Sequence, residues 1–115
     1  MDRSWITQLR KGLTELTVLA ALREGEAYGY ELLQRLASTD ELLATTPATL
    51  YPILARLTDD RFIAVREAPS PSGPPRRYYR LMPAGEKQLV EMAGYWNRVV
   101  AAVGTVVNSH HGKKP

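Results

Sequence analysis

Residues 44–81 read ATTPATLYPILARLTDDRFIAVREAPSPSGPPRRYYRL, and the order of signals in this stretch decides the fold. Thr46 is placed as an N-cap, because its hydroxyl accepts from a free amide of the first helical turn. Pro47 follows at the first helical position, where a missing N–H costs nothing. Leu50, Ile53, Leu54 and Leu57 then recur at helical spacing and gather on one face. Ala48, Pro52 and Ala55 lie roughly opposite, flanked by Thr49, Tyr51 and Arg56. An ordinary surface helix carries Lys and Glu on its outer side, whereas small residues beside Thr, Tyr and Arg let a helix approach a groove closely. Taken alone, this pattern also fits a plain amphipathic helix.

Beyond the helix, Ile63 and Val65 alternate with Ala64 and Arg66, and Tyr79 and Leu81 alternate with Tyr78 and Arg80, which is strand periodicity. Residues 67–75 between them hold Pro69, Pro71, Gly73, Pro74 and Pro75, a run that neither continues a ladder nor starts a helix. A two-stranded hairpin with a long tip is expected. From Arg61 to Arg80 there are five arginines against one acid, Glu67. Edge arginines also guard against strand-to-strand aggregation, but beside a groove-ready helix phosphate binding is the better account. Helix, strand, Pro/Gly/Ser loop and arginine-rich strand, in that order, imply a winged helix-turn-helix: a mainly α fold with a small β-hairpin.

Upstream, from Trp5 to Arg23, the residues Ile6, Leu9, Leu13, Leu16 and Ala20 step by three and four, with Leu19 and Leu22 widening the stripe and Gly25 marking the exit. One long amphipathic helix is expected. Its upstream end, Trp5 to Leu9, has few partners in a small winged domain, so it is completed by another subunit or packs within its own chain. A second helix runs from Tyr28 or Gly29 to Ala37 and buries Leu32, Leu33 and Leu36. Residues 38–45 form a polar connection that Leu42 and Leu43 anchor to the core.

Downstream, Pro83 opens a last helix carrying Leu89, Met92, Trp96, Val99, Val103 and Val106, a heptad-like seam. The winged domain covers its own core without this helix, so its partner is a second copy of the chain; folding back across the first helix is the rival arrangement. The expected organisation is a DNA-binding domain over 1–82, a dimerisation helix over 83–107 and a disordered tail over 108–115. His110 and His111 lie in that tail and, with no third ligand in sight, are read as solvated.

The segments TPATLYPILARL and SGPPRRYYRL, with LTELTVLAALREGEAYGYELLQRL upstream, resemble the PadR family of bacterial transcriptional regulators over about Leu9 to Val107. The single helix after the wing is similar to the shorter subfamily, in which one C-terminal helix makes the dimer. Two positions depart from the family pattern: Arg61 stands where a glycine commonly ends the recognition helix, and Met82 where a threonine commonly caps the last helix. The resemblance, added to the residue pattern, implies DNA contacts from Tyr28, Thr46, Pro47, Ala48, Thr49, Tyr51, Arg56, Arg76 and Arg77. Dimer contacts are expected from Ile6, Leu9, Leu89, Met92, Trp96, Val99, Val103 and Val106. Drug-responsive members of the shorter subfamily stack planar aromatic compounds on a tryptophan matching Trp96, which implies a ligand site there; Trp5, which has no clear counterpart in the family, is expected to meet it across the two-fold axis, with the small Gly12 and Ala93 leaving space. The rival reading of Trp96 is plain interface core.

With 115 residues, 44% hydrophobic and 23% charged, the chain has room for one core. Its net charge of +3 permits a nucleic-acid partner without demanding one. The lack of cysteine removes disulfides and thiolate chemistry, and an N-terminus without a long apolar run points to the cytoplasm. No phosphate loop, metal-spaced ligand set or nucleophile signature is present, so neither an enzyme nor a cofactor is expected. The reading is a homodimeric DNA-binding regulator, a repressor on a palindromic operator. Its rival is a winged-helix module that docks proteins instead of DNA.

Overall fold

In the computed structural model, which describes residues 3–109, the elements follow in the order α1 (Ser4–Lys11), α2 (Leu13–Arg23), β1 (Ala27–Tyr28), α3 (Gly29–Thr39), a 3-10 turn (Glu41–Leu43), α4 (Pro47–Asp59), β2 (Ile63–Ala68), β3 (Arg76–Leu81) and α5 (Pro83–Asn108). Thr46 caps α4 by accepting from the Thr49 amide, with Pro47 in the first turn. Leu50, Ile53, Leu54 and Leu57 are all buried, each removal from water being worth about 1.5–3 kcal/mol before entropy is counted. They meet Val18, Leu19 and Leu22 of α2, Leu32 and Leu36 of α3, and Ile63 and Tyr79 of the sheet in one core.

α4 ends in a Schellman motif: the Phe62 amide donates to the Leu57 carbonyl and the Arg61 amide to Thr58, both at 3.0 Å. The motif needs a left-handed residue, and Arg61 supplies it with φ 65°. This is the position where the family resemblance led one to expect glycine.

The sheet has three strands, not two, in the order β1-β3-β2. β1 pairs Ala27 with Tyr79 and Tyr28 with Tyr78; at two residues it is too short to show any alternation in the sequence. Of the strand positions read as inward, Ile63 and Tyr79 are buried and Leu81 is half-buried, but Val65 is 39% exposed because the core ends beneath the base of the wing.

The long N-terminal helix is interrupted at Gly12, and α1 buries no residue of its own. Of the expected stripe, Leu16, Leu19 and Leu22 do meet the core, but Ile6 and Leu9 belong to α1, Leu13 is only half-buried and Ala20 is exposed; α2 turns Val18 and Ala21 inward as well. α2 reads LTELTVLAALR and is apolar on more than one side, so spacing alone does not choose its buried face. Leu43 packs against the core as expected, while Leu42 is 72% exposed.

α5 docks through its first turns. The Arg23 guanidinium grips the Glu86 carboxylate through Nε at 3.0 Å and Nη2 at 2.5 Å. Gly85 lies so close to the Phe62 carbonyl and the Leu81 side chain that a β-carbon there would overlap both. Leu89, assigned from spacing to the intersubunit seam, is 2% exposed and belongs to the chain's own core, since the first part of α5 lies on α2. Past Met92 the 26-residue helix, about 39 Å long, carries Trp96, Val103 and Val106 largely exposed and gives the molecule a long dimension of 66 Å. Asn108, read as tail, is its last helical residue; His110 and His111 lie outside the described residues. Among the described residues no helix is long and apolar enough to cross a membrane.

Candidate nucleic-acid interface

α3 and α4 cross with the 3-10 turn between them, and the N-terminus of α4 stands clear of the core: Thr46, Pro47, Ala48 and Thr49 are all exposed. The Thr46 hydroxyl is committed to the cap, 3.3 Å from both the amide and the hydroxyl oxygen of Thr49. Pro52 lies inside α4 and removes the amide that would pair with the Ala48 carbonyl four residues back. It does so on the exposed outer face of the helix.

Tyr51 is 47% exposed, and its ring lies across Gly29, where a β-carbon would collide with the phenol. The absence of a side chain at Gly29 thus lets the start of α3 and the middle of α4 meet at a tyrosine. The Glu31 carboxylate accepts from the Tyr28 amide at 3.0 Å and fixes the entry to α3.

Strand register builds the rest. Tyr28, Tyr78 and Arg66 occupy one row across the three strands. The Tyr28 and Tyr78 rings meet edge to face with centroids 5.4 Å apart. Arg66 lies 4.9 Å from the Tyr78 centroid and is clamped by Glu26 at 2.7 Å through both Nε and Nη2. That ion pair holds the Glu26 carboxyl below the usual carboxylate range. Arg76 lies over the outer face of Tyr28, 4.4 Å from its centroid, and has no carboxylate partner among the described residues. Arg77 reaches Glu67 across the hairpin at 3.7 Å, with both side chains well exposed. Tyr28, Gly29, Tyr51, Arg76 and Arg77 line a cleft of about 360 Å³ over Tyr79, whose hydroxyl is pushed up in pKa mainly by burial. At the wing tip, the Ser70 hydroxyl is within donating distance of the Ser72, Gly73 and Pro74 carbonyls, closest to Pro74 at 2.8 Å.

The structure therefore brings Tyr28, Tyr51, Arg76 and Arg77 to one cleft and presents Thr46, Pro47, Ala48 and Thr49 at the exposed start of α4. It does not bring Arg56 there. That guanidinium is paired with Glu15 of α2, because the flank of α4 that carries it faces α2. Tyr78, which supports the cleft, was not singled out from the sequence, and Arg66 entered only as one of the five arginines of the basic patch, whereas it is held by Glu26; only the register with β1 puts Tyr28 beside them. Trp5 and Trp96 are 60% and 41% exposed, Gly12 is the exposed break between α1 and α2, and Ala93 is half-buried on α5. α5 packs on α2 while α1 runs into α2 at Gly12, and four clefts among the described residues are lined by other residues.

Residues 18–91 match the model of the transcriptional regulator PadR-like family. A PadR family transcriptional regulator from Eggerthella lenta is similar in structure, with a TM-score of 0.81 and 34% identity over 90% of this chain and 89% of that one. A transcriptional regulator from Streptococcus gives 0.74 and 36% over 88% of this chain and 98% of that one. A protein of Lysinibacillus sphaericus is 29% identical over 90 residues, which is 77% of this chain and 83% of that one.

Proposed function

The chain belongs to the PadR-like family of transcriptional regulators and is a DNA-binding regulator, not an enzyme; from that premise we propose that it is a homodimeric repressor that reads a palindromic operator. The observation that carries this reading is the meeting of the exposed start of α4 with the arginine-bearing base of the wing. Residues 46–51 enter the major groove, where Thr49, Tyr51 and the Ala48 carbonyl face base edges. Arg76 and Arg77 take backbone phosphates beside it. The Arg77–Glu67 pair is exposed and weak, so a phosphate displaces the carboxylate readily.

The dimer forms through the distal part of α5, where the exposed Trp96, Val103 and Val106 and the half-buried Val99 make an apolar seam, and through the exposed Trp5 and Leu9 of α1, with Ile6 and Met92 at its margins. Such a seam on a projecting helix suits burial against a second copy. A planar aromatic effector stacks on Trp96 between the subunits, near Trp5, Gly12 and Ala93, and releases the operator. The protein works in the cytoplasm, at the nucleoid when bound. Footprinting on the promoter of its own gene tests the reading: two protected half-sites about one helical turn apart are expected, and a single unsymmetrical protected site, or none, contradicts it.

A further inference from the structure

A second cleft of about 360 Å³ lies between α1–α2 and the segment that leads into α4. Its volume falls in the range of small-molecule sites. One wall carries Thr7, Arg10, Lys11 and Thr14; the other runs from Leu42 to Thr46 and ends at Thr49. Two cations line it and no acid does; the acid one turn beyond Lys11 on α2, Glu15, is taken by Arg56. Arg10 spans the cleft, donating through Nη2 to the Ala44 carbonyl at 2.6 Å, which leaves its other N–H groups for a ligand. Lys11 has no carboxylate partner among the described residues. The apolar part of the lining is aliphatic, from Leu13, Leu42, Leu43, Ala44 and threonine methyls, with no aromatic face for stacking a flat ring.

We propose that this cleft binds a small aliphatic carboxylate, its head group on Arg10 and Lys11 and its chain against Leu13, Leu42 and Leu43. The site is distinct from the wing cleft of Tyr28, Tyr51, Arg76 and Arg77 and from the Trp96 seam, but it borders the operator-reading helix: Thr46, the cap of α4, and Thr49, the cap's amide donor, line it. A bound molecule therefore touches the residues that fix where the recognition helix begins.

Sodium hexanoate, titrated into the full chain and followed by amide NMR shifts without DNA, tests the site independently of the operator reading. Saturable shifts are expected at Thr14, Ala44, Thr46 and Thr49. Hexanol, which lacks the charge, should bind about tenfold more weakly or worse, and Lys11→Glu should weaken hexanoate by a similar factor. Thr7→Phe, on the exposed wall, should fill the cleft and abolish the shifts while the rest of the spectrum stays folded. Equal binding of hexanol and hexanoate, hexanoate binding unaffected by Lys11→Glu, shifts confined to α5, or no saturable shifts overturns the proposal.

Discussion

Arg76, at the first position of β3, lies with its guanidinium 4.4 Å from the centre of the Tyr28 ring, the residue that links β1 to α3. The contact ties the wing to the helix-turn-helix and points a cation at the cleft beside Tyr51. An exposed cation–π pair contributes roughly 0.5–1 kcal/mol, so its main effect is to hold Arg76 in place. Tyr28→Leu keeps an apolar side chain but frees the guanidinium. DNA affinity should fall several-fold while thermal stability changes little, as fluorescence anisotropy and a melting curve on the same protein would show.

Gly85 marks the opposite case, in which backbone proximity allows no side chain. Because a β-carbon there meets the Phe62 carbonyl and Leu81, Gly85→Ala must push α5 off the sheet. A loss of about 1–3 kcal/mol is expected from overpacking. Urea denaturation measures it, and a neutral result would mean that α5 docks more loosely than described.

Two helix ends can be improved. Arg61 holds a left-handed conformation that costs a side-chain-bearing residue about 1–2 kcal/mol, part of which glycine returns as chain entropy. Met82 begins α5 with no side-chain cap, where a threonine is worth roughly 1 kcal/mol. Arg61→Gly and Met82→Thr should each raise the melting temperature, which thermal unfolding of the two single variants would show.

Acid should loosen α5 and the wing base together. The Arg23 and Arg66 guanidiniums hold the Glu86 and Glu26 carboxyls below the usual range. A carboxyl whose folded pKa is depressed contributes stability that is fully present above its unfolded value, about 4.3, and is lost as pH falls through the folded one. Stability should therefore be flat near neutrality and fall below about pH 4.3. Both groups are exposed, so the effect is small and salt-sensitive. Glu86→Gln should flatten that part of the acid curve, which a pH series of melting temperatures would resolve.

The capped helix 47–59 and its buried face were legible in the sequence because propensity, capping and periodicity agreed there. So was the hairpin, where prolines and glycine delimit the tip. The buried side of α2 was legible only in part: Leu16, Leu19 and Leu22 were picked out, but Val18 and Ala21 were not, since apolar residues surround the helix; β1 was not legible, because its two residues acquire meaning only against Tyr78 and Tyr79. Of the residues that line the candidate cleft, Tyr28, Tyr51, Arg76 and Arg77 had been singled out from residue type, position and family resemblance. Arg56 was misplaced because helical spacing puts it on a flank without saying that Glu15 of another helix waits there, and Leu89 because a heptad step does not reveal where α5 leaves the core.

The direct test of the central claim is the salt dependence of binding to a palindromic duplex, measured for the wild type and for the Arg76→Ala, Arg77→Ala double variant. If Arg76 and Arg77 take phosphates, log–log plots of affinity against salt should be steep for the wild type and shallower by about one to two phosphate contacts for the variant, with affinity reduced alike on operator and unrelated duplexes. An unchanged slope and affinity in the double variant would contradict the account and remove the wing from the interface.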